Sequence, residues 1–174
     1  MDLEKQKAAG SRIDKGALIA FLRQQFAIDW RGRHGIPHWA RVRVNGLMLA
    51  RINGANAHVV ELFAFFHDCR RLNEHTDEGH GQRGAELAKQ LRHRLFDATD
   101  FEMEQLVYAC TFHSDGLDVA DTTVMTCWDA DRLDLGRVGI DPEPQYLCTA
   151  AARDPVIRNQ AHRRALAWRQ RHSS

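Results

Sequence analysis

The run Val59-Val60-Glu61-Leu62-Phe63-Ala64-Phe65-Phe66 constrains the fold of this chain more than any other segment. It is apolar nearly all round, so a helix made from it belongs at the centre of a bundle. The run ends in His67-Asp68. An imidazole and a carboxylate on a buried helix are costly to desolvate unless something occupies them. A divalent metal is the natural occupant, because both groups ligate borderline first-row ions. Other helical segments offer further ligands: His38 upstream, and His80, His113 and Asp131 downstream.

Helical periodicity runs nearly throughout, and no alternating strand pattern stands out. A first amphipathic helix is expected over 12–26, with Ser11 and Asp14 resembling a capping box. Residues 29–36 read as a loop. Pro37 suits the first turn of a second helix, which carries His38 and is ended by Gly54. The central helix is expected over 57–69, followed by a polar connection over 70–79. Ala85, Ala88, Leu91 and Leu95 mark a fourth helix, and Thr99 with Glu102 caps a fifth that ends near His113. A sixth covers about 122–135. Asp154-Pro155 is a cap followed by proline at the first helical position, opening a last helix that is basic at its end. Repeats, low-complexity tracts and a clear linker are all missing, so residues 1–174 are read as one all-α domain.

Bulk properties narrow the function classes. A length of 174 residues suits one domain, and 44% hydrophobic residues can fill a core. A formal charge of +1 carries no nucleic-acid signature and no attraction to an anionic membrane. Cys69, Cys110, Cys127 and Cys148 form no CxxC pair and read as small buried hydrophobes in a reducing compartment. The charged start, Met1-Asp2-Leu3-Glu4-Lys5, argues against a secretory signal, and no apolar run is long enough to span a bilayer. A cytoplasmic location is expected, and a homo-oligomer is allowed.

Adjacent helix residues point about 100° apart, so His67 and Asp68 reach one cavity only near a helix end and need ligands from neighbouring helices. In Trp128-Asp129-Ala130-Asp131-Arg132-Leu133-Asp134, three acids meet an apolar stretch. Trp128 and Leu133 imply that this segment is partly buried rather than a solvated face.

The order His38, His67-Asp68, Asp131, with Ala130-Asp131-Arg132-Leu133 around the last member, resembles the HD-domain superfamily of metal-dependent phosphohydrolases over about residues 37–140. The resemblance implies an all-α HD-type helical bundle and makes His38, His67, Asp68 and Asp131 the ligands of one metal. His80 and His113 match the subset that holds a second ion, with Asp68 bridging the two. One departure matters. Some nucleotidases of the superfamily carry a Glu about one turn after the His-Asp pair, where this chain has Cys69-Arg70-Arg71. A nucleotidase is therefore disfavoured.

Two divalent ions held by two carboxylates and neutral imidazoles leave the site net cationic, which suits a phosphoryl group. Such ions also lower the pKa of water and supply hydroxide at neutral pH. Arg71 follows the ligand pair and Arg83 lies one turn after His80, so both are expected to fork onto phosphate oxygens. Arg70 reads as a surface residue. Asp129 is expected to orient a ligand or receive a proton, and Arg137 to pair with Asp134. His34, His58, His75, His93, His162 and His172 read as surface or loop. The expected function is hydrolysis of a small phosphorylated molecule, with one or two ions of Mn, Fe, Co, Ni or Zn. The alternatives are a di-iron oxygenase resembling inositol oxygenase, and a non-catalytic ligand-binding module.

Overall fold

The structure, a computed structural model, describes residues 12–172. Among them are eight α-helices, two short 3-10 turns and no strand. The apolar run forms α3, Ala57–Phe66, after α1, Lys15–Gln25, and α2, Ile36–Asn53. The Asn56 side chain starts α3 by accepting from the backbone N–H of His58 and Val59. Seven of the ten residues of α3 are buried. Burying one large apolar side chain contributes about 1.5–3 kcal/mol, so no solvated placement of this helix competes with the central one. It packs against α2, α4 (His80–Leu91), α5 (Asp100–Phe112) and α6 (Thr122–Arg132).

The helix signals written in local sequence are in place. Asp14 accepts from the Ala17 N–H at 3.1 Å and starts α1, while Ser11 lies outside the described residues. Gly54 ends α2 in the left-handed conformation at φ 76°. Thr99 and Glu102 form the reciprocal capping box of α5. Asp154 caps α8, Pro155–Arg171.

Three elements depart from the sequence reading. The central helix stops at Phe66 rather than running to 69, so His67 and Asp68 lie in the turn after it. The fourth helix begins at His80, directly after the polar connection as expected, but ends at Leu91 without reaching Leu95. One turn of helix, α7 (Ala150–Arg153), capped by Thr149, was not anticipated.

Two glycines seat the start of α4 on its neighbours. A Cβ on Gly84 would collide with the Phe66 carbonyl oxygen, and one on Gly81 with the Cys110 carbonyl oxygen. Their missing side chains let the first turns of α4 settle directly on the ends of α3 and α5. That close approach carries His80 to Asp68 and His113.

A second, smaller core of Leu49, Leu133, Leu147, Ala152 and Ala161 fastens α7 and α8 to α2. The loop before α2 is fixed by the edge-to-face rings of Phe26, Trp30 and Trp39, with centroids 5.2–5.6 Å apart. All four cysteines are free thiols, with Cys69, Cys110 and Cys127 buried. No helix among the described residues is long and apolar enough to cross a membrane.

Candidate metal centre

Six side chains from five parts of the chain converge at the end of α3. His38 comes from the first turn of α2, His67 and Asp68 from the turn after α3, and His80 from the first residue of α4. His113 follows α5, and Asp131 sits near the end of α6. His38 Nε2 lies 3.0 Å from His67 Nε2, 3.6 Å from Asp68 Oδ2 and 3.3 Å from Asp131 Oδ1. His67 Nε2 lies 3.7 Å and 3.9 Å from the same two oxygens. On the other side of Asp68, Oδ1 stands 3.2 Å from His80 Nε2 and 3.5 Å from His113 Nε2, and those nitrogens are 3.0 Å apart. The two groups share only Asp68, which gives one oxygen to each.

The opposite nitrogen of every imidazole is committed. His38 Nδ1 faces Asp134 Oδ2 at 2.7 Å. His67 Nδ1 faces the Phe63 carbonyl at 3.1 Å, His80 Nδ1 the Asp77 carbonyl at 2.6 Å, and His113 Nδ1 the Cys110 carbonyl at 2.7 Å. Carbonyls and carboxylates only accept, so each Nδ1 carries the proton and donates it. The four Nε2 atoms are then left with lone pairs, turned inward in two facing pairs, and that of His80 also meets the Arg71 Nη1 donor at 3.3 Å.

Something must sit between those pairs. A proton shared within each would satisfy the nitrogens. It would still leave Asp68 Oδ1 and Asp131 Oδ1, which are buried and have no hydrogen-bond donor. A cation satisfies nitrogens and oxygens together. Ligands about 2.0–2.2 Å from one ion stand roughly 3.0–3.5 Å from each other, close to most of the spacings in both groups. The donor set of His nitrogen and Asp oxygen fits a divalent first-row metal.

Burial pushes the His67 imidazole down to about 3, against the pull of Asp68 and Asp131, which leaves it neutral. Burial opposes charge on Asp68, yet His67, His113, His34 and His80 hold its carboxyl well below the usual carboxylate range. At Asp131 burial is likewise outweighed by His38, His67 and Arg137. At His113 burial is outweighed by Asp68 and Asp131, and the imidazole is raised.

The surrounding residues correct several sequence expectations. Asp129 does not orient a ligand. Its carboxylate accepts from the Cys148 and Thr149 N–H groups at 2.7 and 2.8 Å and from the Thr149 hydroxyl at 2.7 Å, tying down the start of α7. Asp134 is the acid that holds His38, and Arg41 grips it with Nε at 2.6 Å and Nη2 at 3.0 Å. The available signal was its place three residues after Asp131 in the same acidic stretch, which the structure puts in the turn after α6.

Arg71 stands beside the second group, with Nη1 3.3 Å from His80 Nε2 and 3.6 Å from Asp68 Oδ1. Arg83 does not. Its three nitrogens donate to the Arg70 and Glu78 carbonyls and to Asp77 Oδ1, clamping the loop whose Asp77 carbonyl holds His80. Arg137 places Nη2 3.9 Å from Asp131 Oδ1, and Nη1 donates to the Asp134 carbonyl.

His34 was read as a surface or loop residue and is part of the centre instead. It is buried, and Nδ1 donates to Asp68 Oδ2 at 3.1 Å. Trp39 Nε1 donates to its carbonyl, which holds it over the start of α2. Its Nε2 lies 3.7 Å from Glu74 Oε2. His58 and His162 are also half-buried helix residues rather than loop ones.

No family model matches the chain, and no curated protein matches it. Among solved structures, it is similar to the crystal structure of a predicted HD superfamily hydrolase from an uncultured Thermotogales bacterium. The TM-score is 0.66 and the identity 23%, over 98% of this chain and 97% of that one. The all-α bundle is thus an HD-type fold, as the ligand order implied.

Proposed function

We propose that this protein is a metal-dependent hydrolase of phosphoester bonds in a small molecule. The observation that carries it is the pair of ligand groups joined by Asp68, in which every imidazole presents an unprotonated nitrogen and two carboxylate oxygens lack donors. His38, His67, Asp68 and Asp131 would hold one ion, and Asp68, His80 and His113 a second. When bound, such ions supply Lewis acidity toward a phosphoryl oxygen and a water of lowered pKa.

The chain itself does the positioning. Asp134 and Arg41 fix the tautomer and ring plane of His38. Arg83 holds the 70–78 loop, so the Asp77 carbonyl stays on His80. Arg71 offers one guanidinium nitrogen to a phosphoryl oxygen beside Asp68, while its other two nitrogens donate to the Asn73 and His75 carbonyls. His34 holds Asp68 Oδ2 through its Nδ1. The fold shared with a predicted hydrolase supports this reading.

The test is metal analysis of protein purified without chelators, followed by a phosphoester screen with each first-row ion and a parallel oxygen-uptake assay. Bound metal with phosphate release is expected. Bound metal with oxygen uptake and no phosphate release would favour the di-iron oxygenase. Protein that binds no metal would be a non-catalytic module.

A further inference from the structure

We propose that the cleft between the 29–33 loop and the C-terminal end of α8 is a second anion subsite, which takes a phosphate group of the substrate remote from the ligand cluster. The substrate class is then a small molecule carrying at least two phosphates. This rests on the hydrolase reading.

The cleft has a volume of about 720 Å³, large enough for a metabolite. Arg31, Arg33, Arg137, Arg169 and Arg171 line it against only two acids, Asp29 and Glu74. Asp29 is held by the backbone, whereas Glu74 Oε2 is buried without a hydrogen bond and has cationic or imidazole neighbours only beyond that reach. Asp29 Oδ1 accepts from the Arg31 N–H at 2.9 Å, and Glu74 Oε2 lies 3.7 Å from His34 Nε2 and 3.9 Å from Arg33 Nε. Arginines at the end of a helix ordinarily serve its dipole. That accounts for Arg169 and Arg171 alone. It does not account for Arg31 and Arg33, which reach the same cavity from the 29–33 loop, where Arg137 joins them with its Nε on the Arg33 carbonyl and its Nη1 on the Asp134 carbonyl. Guanidinium groups gathered around one concavity are the chemistry that recognises phosphate.

Two side-chain links join this cleft to the cluster. Arg137 lines the cleft and reaches to 3.9 Å from Asp131. Glu74 lines it and meets His34, which donates to Asp68. Asp131 is also the most open ligand, with its side chain 17% exposed against 6% or less for the other five. Trp168 in the wall is already engaged by Arg41, 4.9 Å from its ring, and by the stacked His172. The cleft therefore reads charge rather than an aromatic group.

The test is calorimetric titration of chelator-stripped protein with inorganic tripolyphosphate, and with orthophosphate as the short probe. Wild type should bind tripolyphosphate at least tenfold more tightly than orthophosphate. Asp68→Ala should keep that affinity, because the cleft does not need the cluster. Arg31→Ala/Arg171→Ala, at two exposed positions, should lose at least tenfold. Arg23→Ala/Arg51→Ala, two exposed arginines outside the cleft, should lose nothing. Equal affinity of wild type and the cleft variant would overturn the subsite, as would loss in Asp68→Ala alone. Either result leaves the hydrolase reading standing if metal and phosphate release are found. Binding that needs the cleft arginines, in a protein that holds no metal, would keep the anion site and remove the hydrolase.

Discussion

On the His38–His67–Asp131 side of the cluster one imidazole, His38, is anchored by a side-chain network, whereas both imidazoles of the His80–His113 side hang on backbone carbonyls. On the first side, His38 is backed by Asp134, and Asp134 by both nitrogens offered from Arg41, all buried. His38, His67 and Asp68 meet there, with Asp131 Oδ1 3.3 Å from His38 Nε2 as a fourth candidate. On the second side, His80 and His113 lean on the Asp77 and Cys110 carbonyls, and three ligands meet. The carbonyl under His80 belongs to a loop held by Arg83. A carboxylate behind an imidazole raises its basicity more than a neutral carbonyl does. The first side should therefore bind its ion more tightly and give it up last.

The largest effect should come from removing what the two sides share. Asp68→Ala should empty both, read as metal per protein by mass spectrometry, with far-UV circular dichroism unchanged. Full occupancy in that variant would mean that Asp68 bridges nothing. Next, His80→Ala or His113→Ala should lower the content from about two ions to about one, and the ion lost should be the one that chelators strip first from wild type. A wild type that saturates at one ion would erase the second side altogether.

Asp134→Asn separates the sides from the opposite direction. It should weaken the tighter ion by about 10–100-fold and leave the weaker one nearly untouched in a competition titration. An equal loss on both sides would make Asp134 a stability residue and not a support of His38. Arg71→Ala should lower kcat/KM by about 1.5–3 kcal/mol, one to two decades, with metal content unchanged. Arg71→Lys should recover only part of it. Unaltered turnover in Arg71→Ala would leave the phosphate to the metals and the cleft.

The smallest effect lies away from the cluster, on Glu61 of α3. Burial opposes its charge, but Lys15 and Arg43 outweigh that and lower its pKa. A lowered folded value means that this stabilisation is fully present above the unfolded glutamate pKa of about 4.3 and is lost as pH falls through the folded value. Glu61→Gln should thus lower Tm at neutral pH and match wild type in acid. A Tm gap independent of pH would assign the effect to packing.

Much of the architecture was legible because it is written locally. The all-round apolarity of 59–66, Pro37, the Thr99 and Glu102 pair and Asp154-Pro155 each act within a turn of helix. The two glycines in the first turns of α4 lower helix propensity, and only contact with two foreign carbonyls shows why they are there. All six ligand candidates converge in the structure, yet the reading missed His34 and chose Asp129 over Asp134. Two acids in one helical stretch look alike until the face each presents is known. Arg83 misled for the same reason: its spacing from His80 is right, but the loop takes every nitrogen.

The sequence by itself determined that the chain is helical, that α3 is central, and which residue types stand in what order for a metal. Those follow from periodicity, caps and donor chemistry, all of which act over a few neighbouring residues. Only the tertiary structure decided that Asp68 turns one oxygen to each group, that every Nδ1 has its own acceptor, and that arginines from three parts of the chain share one cleft. His38 meets His67 across 29 residues and Asp134 across 96. Contacts of that separation are set by how helices pack, and no local pattern encodes the packing.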